Sequence, residues 1–222
     1  MVTPAQWVAS HGGRYASALG IDLASPDAGK RFKWFLAAVL YGARISETLA
    51  TRTWRTFRDR GVLTPQGIVQ TGREGLVAIL DAGGYVRYDY KTATKLLDVC
   101  TALLRDYRGD LDALHAAAAD PHDLETRLKA LGKGIGDTTV GIFLRELRGI
   151  WAQANPPLSP LARAAAREMG YLRSGAERHA LERLQRLWAR AGEPARGFGD
   201  FEAALVREGL RRRRQAARQP RT

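Results

Sequence analysis

Apolar residues recur at three- and four-residue spacings along most of the chain, and no stretch alternates as a strand would. That periodicity confines the chain to an all-α fold. Ala93, Leu96, Leu97, Cys100, Leu103, Leu104 and Tyr107 form one amphipathic stripe, with Asp89 placed to cap its start and Gly109 to follow its end. Val140, Phe143, Leu144, Leu147 and Trp151 form a second. Phe32, Phe35, Leu36, Val39, Leu40 and Ala43 form a third, apolar enough for a central helix. Shorter helices are expected at 46–59, 73–82, 111–118 and 121–130, the last opened by Asp120 as N-cap and Pro121 in the first turn. After the break at 152–158, three more are expected near 160–170, 176–191 and 199–214, and one stands early at 4–18. The arrangement suggests two lobes: residues 31–151 in one, residues 1–30 and 152–210 in the other, and 211–222 as a basic, disordered tail.

Composition removes several classes of function. The 222 residues hold one cysteine, so one chain cannot build a disulfide framework, an all-cysteine zinc site or an iron–sulfur cluster. No apolar run approaches the roughly 18 residues of a membrane span. Neither a basic start nor a long apolar stretch marks a signal peptide, so a cytoplasmic protein is expected, with no membrane partner. The net charge is +12, and six of the positive charges lie in Arg211–Arg214, Arg218 and Arg221 with no acid among them. A chain this basic is drawn to polyanions, nucleic acid foremost.

The segment that carries a mechanism is Leu128-Lys129-Ala130-Leu131-Gly132-Lys133-Gly134-Ile135-Gly136-Asp137-Thr138-Thr139-Val140. It joins a short helix to a longer amphipathic one through a glycine-rich turn. Glycine allows positive φ and close approach of backbone to a ligand. The N–H groups opening the second helix point outward with the positive end of its dipole, an arrangement that suits a phosphate. Lys133, Gly134, Ile135, Gly136, Thr138 and Thr139 are therefore candidate DNA-backbone contacts, and such a hairpin holds the duplex without reading sequence. A plain helix–helix turn with glycine caps would show the same residues.

With this hairpin the chain resembles the helix-hairpin-helix DNA glycosylase superfamily, in its endonuclease III-like branch, over residues 30–170. Phe35-Leu36-Ala37-Ala38-Val39-Leu40 is similar to that family's first buried helix. Gly83-Gly84-Tyr85 followed by Lys91-Thr92-Ala93 looks like its entry into a long helix, and Leu131 to Val140 like its hairpin with one residue extra. The resemblance implies a two-lobed all-α fold with a six-helix barrel, a monomer bound to double-stranded DNA at the nucleoid, and excision of a damaged base. It implies no cofactor beyond a monovalent cation at the hairpin.

For the chemistry the match departs from the family pattern. Where the family has a catalytic aspartate capping a helix after the hairpin, this chain has Ser159 when the helices are aligned by their N-cap, or Leu158 with a one-residue shift; where bifunctional members have a Schiff-base lysine, it has Thr138. Arg44, in Gly42-Ala43-Arg44-Ile45, stands in the segment that probes the opposite strand. A carboxylate from elsewhere is an alternative: Glu47, Asp137, Asp81 or Asp89. Asp89 and Asp137 read equally well as N-caps, and Glu47 as a first-turn acid after Ser46. Lys91 and Lys95 are candidate phosphate contacts or solvated lysines. Tyr85, Tyr88 and Tyr90, with Arg87 among them, are a candidate base pocket in which a flipped base stacks, or half-buried core tyrosines. The two functional expectations are a monofunctional glycosylase acting on a damaged, for example N-alkylated, base, and a non-catalytic reader of DNA lesions or DNA structure.

Overall fold

The computed structural model describes residues 2–173, 179–191 and 196–218. The fold class is all-α: no strand occurs among the described residues. In chain order the helices are α1 (Pro4–His11), α2 (Tyr15–Ala18), α3 (Gly29–Tyr41), α4 (Glu47–Asp59), α5 (Pro65–Ala82) and α6 (Asp89–Tyr107). They continue with α7 (Leu111–Ala116), α8 (Pro121–Ala130), α9 (Asp137–Leu147), α10 (Pro160–Glu168), α11 (Ala180–Ala191) and α12 (Phe198–Arg218). None of them is long and apolar enough to cross a membrane.

The caps explain most of the starts. Thr3, Ser46, Thr64, Asp110, Asp120 and Ser159 each accept a backbone N–H from the first turn they open. Two expected caps sit one position further on. Tyr88, not Asp89, precedes α6, and Asp89 Oδ1 takes the N–H of Tyr90 at 2.6 Å. Asp137 is the first residue of α9, so the capping place falls to Gly136. The early helix expected over 4–18 is two pieces, because Gly12 takes φ 78° and ends α1. α5 begins at Pro65, earlier than expected, and breaks at Gly72 (φ 67°) before resuming toward Ala82.

The chain divides into two compact units. One contains Ile21–Leu144 and Ile150–Ala154, so residues 21–30 pack with the central helices rather than with the ends. Its core is built on α3, where Phe32, Trp34, Phe35 and the run Leu36–Leu40 are all buried. Trp34 Nε1 donates to the Phe143 carbonyl at 3.1 Å, and Phe35 meets Phe143 edge-on. Trp54 Nε1 donates to the Lys33 carbonyl, and Trp151 Nε1 to Asp112, which also pairs with Arg31 at 3.2 Å. Each indole thus buries its ring and still satisfies its N–H. Cys100 lies in this core, its thiol pushed up to about 12 by burial, so it stays protonated and unreactive at neutral pH.

The other unit gathers both ends of the chain: Met1–Gly20, Arg145–Gly149 and Asn155–Thr222. Here α10 and α12 pack closely, and a Cβ on Gly209 would come within 2.5 Å of the Leu161 carbonyl oxygen. At its centre is a buried ionic network. Arg148 donates to Glu202 (3.0 Å), to Asn155 (2.5 Å) and to the Pro156 carbonyl (2.6 Å). Glu146 accepts from the Ala16 N–H at 3.1 Å and lies 3.8 Å from Arg145, while Arg14 donates to the Glu146 and Arg148 carbonyls. The expected disordered tail is in part an ordered helix. α12 continues through Arg218 because Arg211 and Arg212, three and four residues beyond Glu208, both reach its carboxylate. Arg221 lies outside the described residues.

Candidate nucleic-acid interface

The glycine-rich turn rests on α6. A Cβ on Gly132 would meet Val99 Cγ2 at 2.8 Å, and one on Gly134 would meet Lys95 Cε at 2.9 Å. Lys95 and Val99 are one helical turn apart, so one face of α6 supports successive glycines of the turn. Gly134 adopts φ 90°, a left-handed conformation that an L side chain resists. Gly136 has no such constraint and faces open space. The turn is pinned from inside by Leu131 and Ile135, 3% and 4% exposed, and closed by an Ile135 N–H to Gly132 carbonyl bond of 3.2 Å.

Around that bond most amides have no acceptor among the described residues. The N–H groups of Gly134, Gly136, Asp137, Thr138 and Thr139 find no partner among the described residues, and Val140 is the first to bond back, to the Gly136 carbonyl at 3.1 Å. Lys133, Gly134, Gly136 and Thr138 are exposed around them. Lys95 is half-buried under the turn with no carboxylate partner among the described residues, and burial holds its ammonium below the usual lysine range. Lys91, one turn earlier on α6, is exposed. The arrangement is a run of main-chain donors with lysines beside it, chemistry of the kind that suits an anion.

Two expected backbone contacts turn inward instead. Ile135 is an apolar anchor. Thr139 is 4% exposed and its hydroxyl packs on Gly42, where an added Cβ would come within 2.5 Å. That contact has a use, because it sets the Gly42–Ile45 segment beside the first turn of α9, with Arg44 exposed two residues on. The two hairpin helices are tied by Lys129, which reaches Asp137 at 2.6 Å.

No protein-family model matches the chain, and no curated protein matches it significantly. The reading of the site rests on its geometry.

The carboxylate candidates separate by what they touch. Asp137 faces solvent and is engaged by Lys129. Glu47 is half-buried in the first turn of α4 behind the Ser46 cap. Asp81 and Asp89, which end α5 and begin α6, hydrogen-bond to each other. Partial desolvation, then that bond and the Asp89 charge, hold the Asp81 carboxyl above its ordinary range. Ser159 belongs to the other unit, and its hydroxyl accepts from the Ala162 N–H at 3.2 Å, so it is occupied as a cap. Among the described residues no three His, Cys, Asp or Glu side chains cluster as metal ligands would.

The three tyrosines do not share a pocket. Tyr85 is 2% exposed, with its phenol pushed up by burial and accepting from the Thr92 hydroxyl at 3.5 Å. It is a core residue. Tyr88 is half-buried with the Arg87 guanidinium 5.4 Å from its ring centre, and Tyr90 is 56% exposed. Val86 beside them is 63% exposed, a residue that polarity-based reading of the segment passes over. The loop is held at its base by Arg52 Nε, which donates to the Gly83 carbonyl at 2.7 Å.

Proposed function

We propose that the protein binds duplex DNA through the 128–140 hairpin, within a two-lobed helix-hairpin-helix glycosylase-like fold. In this reading it acts on damaged bases. The observation that carries it is the set of amides of Gly134, Gly136, Asp137, Thr138 and Thr139, which find no partner among the described residues, with Lys95 and Lys133 beside them. Neutral main-chain donors grip a phosphodiester without regard to sequence, and the flanking lysines add the charge that releases counterions.

On this reading Arg44 and Lys91 flank the phosphate grip, and Tyr88, Tyr90 and Val86 offer stacking surface to an unstacked base. The chemistry proposed is N-glycosidic hydrolysis. Water adds to the sugar carbon and gives up a proton to solvent, while the base leaves with the electrons of the broken bond. N-alkylated purines fit best, because a cationic base leaves as a neutral molecule and asks least of the catalyst. The occupied hydroxyl of Ser159 and the engaged carboxylate of Asp137 favour the second reading, in which the protein recognises lesions or DNA structure without cutting.

The experiment is incubation with duplexes bearing different lesions, followed by alkali to reveal abasic sites. Release of a free base selects the glycosylase. Tight binding with no release from any substrate selects the reader, and absence of binding to every duplex rejects both.

A further inference from the structure

The four consecutive arginines of α12 fall into two pairs. Arg211 and Arg212 are consumed within the fold. Arg211 Nε lies 2.6 Å from Glu208, and Arg212 reaches both Glu208 and, on α10, Glu168. The Glu208 side chain is fully buried and its carboxyl is pulled down to about 2, first by the Arg211 hydrogen bond. Arg213 and Arg214 are different. They stand five and six residues beyond Glu208, on the opposite side of the helix, where the 3.6-residue period puts them out of its reach. Both are exposed, and neither has a carboxylate partner among the described residues.

We propose that Arg213 and Arg214 form a second phosphate contact for duplex DNA, separate from the hairpin. The choice of partner rests on the reading given under Proposed function. Paired guanidinium forks match phosphodiester oxygens, and two unneutralised arginines in sequence gain more from a polyanion than from solvent. The neighbouring side chains argue against a lipid surface. Gln215, Ala216 and Ala217 are exposed and small or polar, so the helix end offers no large apolar group to enter an acyl layer. What it offers is charge alone.

The test uses the full chain and titrates salt against duplex affinity. Arg213→Gln with Arg214→Gln should reduce the log–log salt slope by about two contacts, near 0.9 each, with an unchanged melting temperature. Arg211→Gln with Arg212→Gln removes the same charge from the same helix. It should lower the melting temperature through the loss at Glu208 and leave the slope nearly intact. Lys133→Gln, on the hairpin, should remove about one contact independently. An unchanged slope in the Arg213/Arg214 variant, with Lys133→Gln still reducing it, overturns this proposal and leaves the hairpin reading standing. Equal slope losses from the two arginine pairs also overturn it. Should the parent fail to bind any duplex, both readings fall together. Binding to anionic phosphatidylserine vesicles that depends on Arg213 and Arg214, with no effect on duplex, would reassign the helix end to lipid and reject the proposal.

Discussion

The side chain of Lys95 lies under Gly134, close enough that a Cβ on the glycine would come within 2.9 Å of its Cε and 3.3 Å of its Nζ. The lysine props the turn, and the absent side chain leaves room for the prop. Gly134→Ala meets two penalties there, the left-handed φ of 90° and the crowded lysine. We expect it to lose about 1–2 kcal/mol of stability and to weaken binding to all duplexes alike. Gly136→Ala, in open space and without positive φ, should fold normally and weaken binding only by covering the amides. Denaturant melts paired with duplex titrations check both, and unchanged affinity in folded Gly136→Ala would reject the hairpin as the grip.

A second expectation concerns Ser159. Its hydroxyl caps α10 through the Ala162 N–H, so Ser159→Ala should cost about 1 kcal/mol and leave any base excision in place. Ser159→Asp preserves the cap and adds a carboxylate where the resembled family carries its catalytic aspartate. Gain of base release by Ser159→Asp would establish that inherited geometry. Strong parental activity abolished by Ser159→Ala would place the serine in the chemistry itself.

Much of this was legible in the sequence, for identifiable reasons. Asp120 with Pro121 and Ser159 with Pro160 announce their helices, since a cap and a proline at the first turn are local signals that tertiary contacts rarely override. The hairpin was legible from its glycines. Its inward residues were not: the six-residue turn 131–136 has no period, so nothing marks Ile135 as buried while Lys133 is exposed, and the signal for Thr139 was its place four residues before Phe143 on the buried face of α9. The tyrosines failed for a related reason, because they straddle the start of α6, where the rule relating spacing to face changes within a few residues. The ionic network was missed because charged residues read as surface. The signal that could have found it is the Arg145-Glu146-Leu147-Arg148 run, which continues an apolar stripe with charges of both signs. In the tail, arginine content alone signals disorder, whereas Glu208, three and four residues before Arg211 and Arg212, is the local signal for helix.

That network gives a third prediction. Arg148 is 7% exposed and Glu202 1%, and the guanidinium satisfies three separate acceptors. Arg148→Ala leaves a buried carboxylate without its cation and should cost about 3–5 kcal/mol. Arg148→Lys retains the charge but not the planar fork, so it should recover only a small part. Equilibrium unfolding of the two variants decides the matter, and near-parental stability in Arg148→Ala would contradict the assignment.

The fourth concerns pH, where the buried acids of this unit oppose one another. Burial is the main cause that raises the Glu146 and Glu202 carboxyls, against the pull of Arg145 on the first and Arg148 on the second. Raised folded-state values mean that the stability they contribute is complete below the ordinary 4.5 and is lost as pH rises through the folded value. Glu208 runs the other way. Held near 2, chiefly by Arg211, its contribution is present above 4.5 and lost as pH falls toward 2. Glu146→Gln, which preserves an acceptor for the Ala16 N–H, should flatten the stability profile above 4.5. Glu208→Gln should flatten it below. Melts across the two ranges test the signs separately, and a profile unchanged by either substitution would refute its half of the argument.

The unit that joins both ends of the chain cannot be assembled in order of synthesis. Ile21–Leu144 carries nearly all of its own core and is complete before α10 has been made. Tyr15 must instead wait for Arg207, whose guanidinium lies 4.1 Å from its ring centre, and Arg148 for Glu202, both of which arrive with α12. Until then Arg148 has no carboxylate to meet, and the N-terminal segment has no finished surface to join. The central unit can therefore form co-translationally while the first twenty residues remain open to proteases. A ribosome stalled before α12 would hold a chain with a folded hairpin and an unfinished second unit.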